Sequence, residues 1–222
     1  SARVGDGQGT GAMAARLQYN FTVTPTSNLI IVQYAVVLEN PGHSVMQQPR
    51  FEIQLFDQLG NPIPCTFYQV TAGSGIPGFQ ACGQIRSKDW TTIGVNVSAY
   101  LGQQIILDVA TGDCSLSGHF GYAYVVADCA SLYIESRYCE NSLSQTVELE
   151  APEGFANYEW TDSTGAVVGN GQIISLNTTN QQIITCAITS VNGCTATLST
   201  EILPSNVVAQ YTMDSVCAGG VI

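Results

Sequence analysis

Charge is the scarcest commodity in this chain. Charged residues make up 10% of its 222 positions, against roughly a quarter in an average soluble domain. Lysine occurs once, at Lys88, and the 6 basic residues face 17 acidic ones, for a formal net charge of −11. Such a field repels polyanions, and no Lys/Arg cluster interrupts it, so nucleic-acid binding is excluded. An acidic surface rich in Thr, Ser, Asn and Gln suits a secreted or cell-surface protein instead. No run of 18 apolar residues appears, so no helical membrane span is expected. No CxxC pair, no Gly-x-Ser-x-Gly elbow and no helical periodicity of any length can be found either, which removes the usual signatures of zinc ribbons, α/β hydrolases and helical bundles.

The chain does hold eight cysteines, at 65, 82, 114, 129, 139, 186, 194 and 217. Without close pairs they read as a disulfide framework of an oxidising compartment. Local pairing gives Cys65–Cys82 and Cys114–Cys129. Farther along, Cys139 precedes a first strand and Cys194 opens a last one; these often lie side by side in small sandwiches, so Cys139–Cys194 is the favoured pair. The alternative, Cys139–Cys186, stays open. If Cys139–Cys194 forms, Cys186, alternating with Ile184 and Ile188, is a buried hydrophobe. Ser1 carries no initiator Met or signal peptide, and the segment after Pro204 opens a new strand-like stretch. The expectation is a fragment of a longer multidomain chain.

Short strands punctuated by Gly, Pro and Asn fill the rest. Leu29 to Leu38 and Phe51 to Phe56 read as strands, the second with clean period-two alternation, and Trp90 to Val97, Gln104 to Val109 and Phe120 to Val126 continue the pattern. This is the grammar of an all-β, two-sheet jelly-roll-type sandwich over residues 1–130. From 131 to 204 the strands shorten: Thr146 to Ala151, Tyr158 to Trp160, Ile173 to Leu176, Ile183 to Thr189 and Thr195 to Ile202. A lone central Trp160 and an Asn192-Gly193 turn describe an Ig-like/PKD-like β-sandwich. Residues 205–222 read as the start of a further module.

Candidate chemistry is sparse. His43 follows the long apolar strand, and His119 sits in Ser117-Gly-His-Phe-Gly. Two imidazoles with Asp57 or Asp113 could hold zinc, but no ligand spacing supports it, so a loop-supporting role is expected. Glu52, Asp57, Asp108 and Asp113 are carboxylates of the kind a glycosidase needs, with nothing in the sequence to pair them. Asp6, within Val4-Gly-Asp-Gly-Gln-Gly, offers hard oxygens in a turn and is the candidate calcium position. Tyr68, Phe79, Trp90, Tyr122 and Tyr124 could stack on sugar rings, but most alternate with small residues and are expected in the core. His43, His119 and Tyr122 remain as candidate ligand contacts.

The succession Tyr34-Ala-Val-Val-Leu-Glu-Asn-Pro-Gly-His43, Gln48-Pro-Arg-Phe51, Trp90-Thr-Thr-Ile-Gly-Val95, Gly112-Asp-Cys114 and Gly118-His-Phe-Gly-Tyr-Ala-Tyr124 resembles the jelly-roll module of very large surface proteins of Bacteroidetes. Ala151 to Trp160 and Ile184 to Cys194 are similar to the Ig/PKD-like modules strung after it. The resemblance implies a galactose-binding-like jelly roll in a modular adhesin of the gliding-motility kind. Such a protein is exported by type 9 secretion, is associated with the outer membrane at the cell surface, and attaches to surfaces or polysaccharide. It offers no catalytic residues. Ser163 and Ser215, each after an Asp, look like the O-glycosylation sites of that phylum. Two other readings are a carbohydrate-binding accessory region of a secreted glycan-degrading enzyme and a purely structural surface filament.

Overall fold

A computed structural model describes residues 1–8, 11–73, 77–137, 145–178 and 180–202. Cys139, Ser215, Cys217 and the expected module at 205–222 lie outside the described residues. Every strand pairing is antiparallel and the only helices among the described residues are single 3-10 turns, so the chain is all-β.

Nine strands build the first sandwich: β1 (Ala2–Val4), β2 (Ala14–Thr22), β3 (Leu29–Glu39), β4 (Arg50–Asp57), β5 (Tyr68–Thr71), β6 (Gln80–Cys82), β7 (Ile85–Asn96), β8 (Gln104–Gly112) and β9 (Gly121–Ala130). They form sheets of order β1-β9-β3-β7-β6 and β2-β8-β4-β5. The chain crosses between sheets at almost every connection, which is jelly-roll winding. Alternation sets the core. In β3, Ile30, Val32, Tyr34, Val36 and Leu38 point inward and are fully buried, facing Phe51, Ile53 and Leu55 of β4 and Ile105, Leu107 and Val109 of β8. Each such side chain contributes about 1.5–3 kcal/mol by leaving water. The buried hydroxyl of Tyr34 donates to that of Tyr68, so its polar end is not stranded. The edge strand β2 was not anticipated, although Leu17, Tyr19 and Phe21 alternate with Arg16, Gln18 and Asn20.

Seven strands build the second sandwich: β10 (Glu135–Arg137), β11 (Gln145–Glu150), β12 (Asn157–Thr161), β13 (Val167–Asn170), β14 (Ile173–Thr178), β15 (Gln182–Thr189) and β16 (Thr195–Ile202). The orders β10-β11-β14 and β13-β12-β15-β16 are Ig-like. Trp160 is fully buried on β12, donates its indole N–H to the Gly171 carbonyl at 2.8 Å, and lies opposite Cys186. Cys186 is a free, buried thiol packed as a small hydrophobe.

The disulfide framework differs from the sequence expectation. Cys65 bonds Cys194, with Cα atoms 6.1 Å apart, while Cys82, Cys114 and Cys129 are free. The reason is which end of the jelly roll each residue occupies. Cys65 lies in the β4–β5 loop beside Gly94 and Asn96, at the end that meets the second sandwich. Cys82 pairs with Ile85 at the other end of β7, roughly 30 Å along the strand. Cys114 lies in the β8–β9 loop at that far end. Cys129 is eight residues beyond the start of β9, roughly 26 Å away and well outside bridging range. With Cys194 bonded to Cys65, the pair Cys139–Cys194 cannot form.

The two sandwiches meet through backbone groups and two asparagine side chains. Gly94 donates its N–H to the Gly154 carbonyl at 2.8 Å, the Leu132 N–H reaches the Asn28 side-chain oxygen at 2.7 Å, and the Asn192 amide reaches the Cys65 carbonyl at 3.2 Å. A Cβ on Gly154 would stand 2.3 Å from the Gly94 nitrogen, so this contact needs glycine.

Peptide mapping without reductant is expected to recover Cys65 cross-linked to Cys194. Alkylation of the native protein should label exposed Cys82 first. Burial pushes the Cys186 thiol up to about 12, so it should stay unmodified until unfolding. Removing the bond with Cys65→Ser should lower stability in urea by up to about 5 kcal/mol, the loop-entropy value for a closure of this length.

Candidate functional site

Two surfaces of the jelly roll carry chemistry, and both start where β9 begins. At the far end, Gly5 and Gly121 bring β1, β8 and β9 into close approach. A Cβ on Gly5 would lie 2.5 Å from the Gly121 carbonyl and from Thr111 Oγ1, and one on Gly121 would lie 3.0 Å from Leu38 and 3.2 Å from the Gly112 carbonyl. The Asp113 carboxylate accepts the Gly121 N–H at 3.0 Å. Burial raises the Asp113 carboxyl above its ordinary range, and the charge of Asp6 adds to that rise.

Two loops converge on this end. In the β3–β4 loop, Asn40 Oδ1 accepts from the Gly42 N–H and from Gln48 Nε2, and Gln48 also donates to the His43 carbonyl. In the β8–β9 loop, the Cys114 N–H donates to the His119 carbonyl at 3.0 Å and the Ser117 N–H to the Cys114 carbonyl at 3.0 Å. Ser117 takes φ +65° to close that turn. The Ser115 N–H ties the second loop to the first through the Gln47 carbonyl at 3.2 Å.

This folding joins the two histidines. Their rings meet edge to face at 5.2 Å, and His43 Nδ1 lies 3.1 Å from the sulfur of Cys114. Cys114 is fully buried and both imidazoles are half-buried. The carboxylates proposed as co-ligands are engaged elsewhere. Asp57 caps its own turn by accepting from Leu59 and Asn61, and Asp113 holds Gly121. The third donor is the cysteine that sequence reading assigned to a disulfide.

The second surface is the outer face of the five-stranded sheet. Sequence alternation placed Tyr122 and Tyr124 in the core, but the opposite phase holds. Small Gly121 and Ala123 are the buried residues, with no room for a side chain at Gly121 between Leu38 and the Gly112 carbonyl, and the tyrosines point out. Tyr122 stacks on Phe120 at 5.9 Å and carries the Arg3 guanidinium 4.7 Å above its ring. Tyr124 is 40% exposed and stands opposite Ala35 of β3. On the other side of Ala35, the β3–β7 register shifts between Tyr34 and Val36, so Asp89 and Trp90 both face that alanine across a bulge. Trp90 is 55% exposed. Two aromatic rings thus flank a small residue across three strands, bordered by Gln33, Thr92 and Asp89. Tyr68 and Phe79 pack against the core as expected.

The remaining candidates fall elsewhere. Asp6 Oδ1 accepts the Gln8 N–H at 3.0 Å in a local turn. Ser163 is exposed at the tip of the β12–β13 hairpin, whose shape comes from Asp162 accepting the Thr164 and Ala166 N–H groups. Asp108 is buried against Arg16 at 3.1 Å and Gln18, while Glu52 pairs with Arg50 at 2.8 Å. An apolar cavity of about 550 Å³, not foreseen, opens between the sheets beside β1 and β2, lined by Tyr19, Phe21, Leu107, Val109 and Val125.

No known family matches the chain, and no curated protein matches it. Among solved structures, it is similar to the glycoside hydrolase domain of endo-D from Streptococcus pneumoniae R6, at 8% identity over 90% of this chain and 32% of that one, with a TM-score of 0.28. It is also similar to a beta-glucuronidase of an uncultured Clostridium, at 12% identity over 86% and 35%, TM-score 0.26. A putative beta-galactosidase from Bacteroides fragilis matches at 10% identity over 86% and 32%, TM-score 0.23. The chain spans about a third of the length of these proteins. The fold stands on its own strand order, and likeness of this degree says nothing of activity.

Gly5→Ala should cost about 2 kcal/mol or more in urea unfolding, since it adds a backbone clash to a left-handed conformation. Gly42→Ala, with a similar φ but open space around it, should cost about 1 kcal/mol. Equal losses would show that the close approach is not what constrains this end.

Proposed function

We propose that the chain is a non-catalytic, glycan-binding region of a larger extracellular protein, and that the outer face around Ala35 is where the glycan lies. The carrying observation is the exposed pair Trp90 and Tyr124 on either side of Ala35. Two strand spacings separate them, about 10 Å, a span that a short oligosaccharide crosses. Large aromatic rings on a flat sheet are costly to leave in water. Their faces suit the apolar faces of pyranose rings, and Gln33, Asp89 and Thr92 offer hydrogen-bond partners for sugar hydroxyls at the rim. A face this shallow buries only part of a ligand, so single-site affinity is low and strong attachment comes from repetition.

The net charge narrows the ligand. At −11, the chain repels uronate-rich or sulfated polysaccharide at low ionic strength, leaving neutral glycans as the favoured class. Both an adhesin and a glycan-degrading enzyme with an accessory region would use such a surface. The resemblance favours the adhesin, and with it the cell surface, type 9 export and outer-membrane association. An array of neutral and anionic glycans, followed by titration calorimetry, tests the binding. Neutral glycans should bind, and Trp90→Ala and Tyr124→Ala should each weaken them about tenfold or more while leaving the unfolding midpoint unchanged. An array without a neutral hit, or alanine variants that bind as well as the parent, would overturn it.

A further inference from the structure

We propose that His43, Cys114 and His119 form a binding site for a thiophilic divalent metal ion, zinc in the first place. The three offer one sulfur and two ring nitrogens, and these donor atoms all lie within 4.8 Å of one another. Around a tetrahedral zinc, sulfur and nitrogen ligands sit about 3.6 Å apart and two nitrogens about 3.3 Å. The 3.1 Å between His43 Nδ1 and Cys114 Sγ is about 0.5 Å shorter than that spacing, so an ion would spread this pair slightly and draw His119 in, by side-chain adjustment alone.

Three further features point to an ion. His119 Nδ1 is cut off from water and has no hydrogen-bond partner, a state that costs about 1–3 kcal/mol in a folded protein. An ion coordinated through Nδ1 supplies the missing partner. The Leu116 N–H points at the sulfur of Cys114 from 3.4 Å, the kind of backbone contact that orients a coordinating sulfur. The loops are also held beforehand by the Gln48–His43, Ser115–Gln47 and Cys114–His119 contacts, so little order remains to be imposed on binding. Cys114 is fully buried, which suits a small ion and excludes service as a nucleophile toward a bulky substrate. The ligand set itself selects the metal: a thiolate with two imidazoles prefers zinc or copper over calcium or magnesium.

Three protein donors leave a fourth position, and the half-exposed imidazoles open it to water or to an incoming ligand. The ion would tie the β3–β4 loop to the β8–β9 loop, at the end of the jelly roll opposite the Cys65–Cys194 bond.

The test is metal titration of the whole chain, freed of metal by chelator. Zinc should bind one ion per chain and raise the thermal midpoint. Cobalt should give the near-ultraviolet thiolate charge-transfer band and the intense visible bands of a tetrahedral site. Cys114→Ser should abolish that band, and Cys114→Ser and His119→Gln should each weaken zinc at least about 100-fold. Cys129→Ser should change nothing. Because a ligand variant can lose stability for other reasons, the deciding readout is the cobalt spectrum of the parent and the zinc-dependent shift within each variant. A parent that takes up neither zinc nor cobalt, a cobalt spectrum without the thiolate band, or a Cys114→Ser variant that binds as tightly would overturn the site. Uptake of copper with indifference to zinc would overturn the choice of metal.

Discussion

The far end of the jelly roll depends on a close approach that only glycine permits. Gly5 and Gly121 let three strands approach until a single added methyl group would crowd a backbone carbonyl. Because side chains alternate along a strand, fixing one residue of β9 inward fixes the phase of all of them. Gly121 inward means Ala123 and Val125 inward, and therefore Phe120, Tyr122 and Tyr124 outward. The same contact anchors the β8–β9 loop, through the Asp113 carboxylate on the Gly121 N–H, and so sets where His119 and Cys114 meet the loop carrying His43. Both the aromatic face and the imidazole–thiol cluster follow from one close approach.

The sequence made much of the fold legible where the signal was local. The alternation of β3 and β4, the Trp160 strand and the turn at Asn192-Gly193 all carry their structure within ten residues or fewer. The placement of Tyr122 and Tyr124 was not legible, because period two has two phases and composition alone chooses the larger residues for the core. Here the close approach at Gly121 set the phase, and that approach is made by strands far apart in the chain. The same limit hid the cysteine pairing. Proximity in sequence suggested Cys114–Cys129, yet a strand carries its two ends apart, and the bond that forms spans 129 residues. The cluster of His43 with Cys114 joins positions 71 apart; the only sequence hint was that each histidine sits in a Gly-containing loop at a strand end.

The junction between the sandwiches works by a comparable economy of side chains. Gly94 and Gly154 meet backbone to backbone, and the Cys65–Cys194 bond and the Asn28 and Asn192 contacts close around them. A polar, close contact of this kind defines an orientation without a large apolar interface, whereas an uncrosslinked polar junction is expected to move. For a protein whose proposed work is to present a glycan-binding face from a string of modules, a fixed joint keeps that face at a constant angle, and multivalent attachment depends on such geometry.

The free thiols require an account of their own, since eight cysteines were read as evidence of an oxidising compartment. Among the described residues one disulfide forms, and Cys82, Cys114, Cys129 and Cys186 stay reduced. Oxidation and exchange proceed through the thiolate, so a thiol persists where the thiolate is suppressed or unreachable. Burial does this for Cys186, and burial with the neighbouring charge of Asp128 raises the Cys129 thiol as well. Cys114 is shielded by position: two imidazoles and a backbone N–H surround a sulfur that solvent does not reach. Among the described cysteines Cys82 alone is both free and exposed, so it is the position there where an oxidising environment would leave its mark first. The low charge and the scarcity of lysine therefore carry the extracellular reading better than the number of cysteines does.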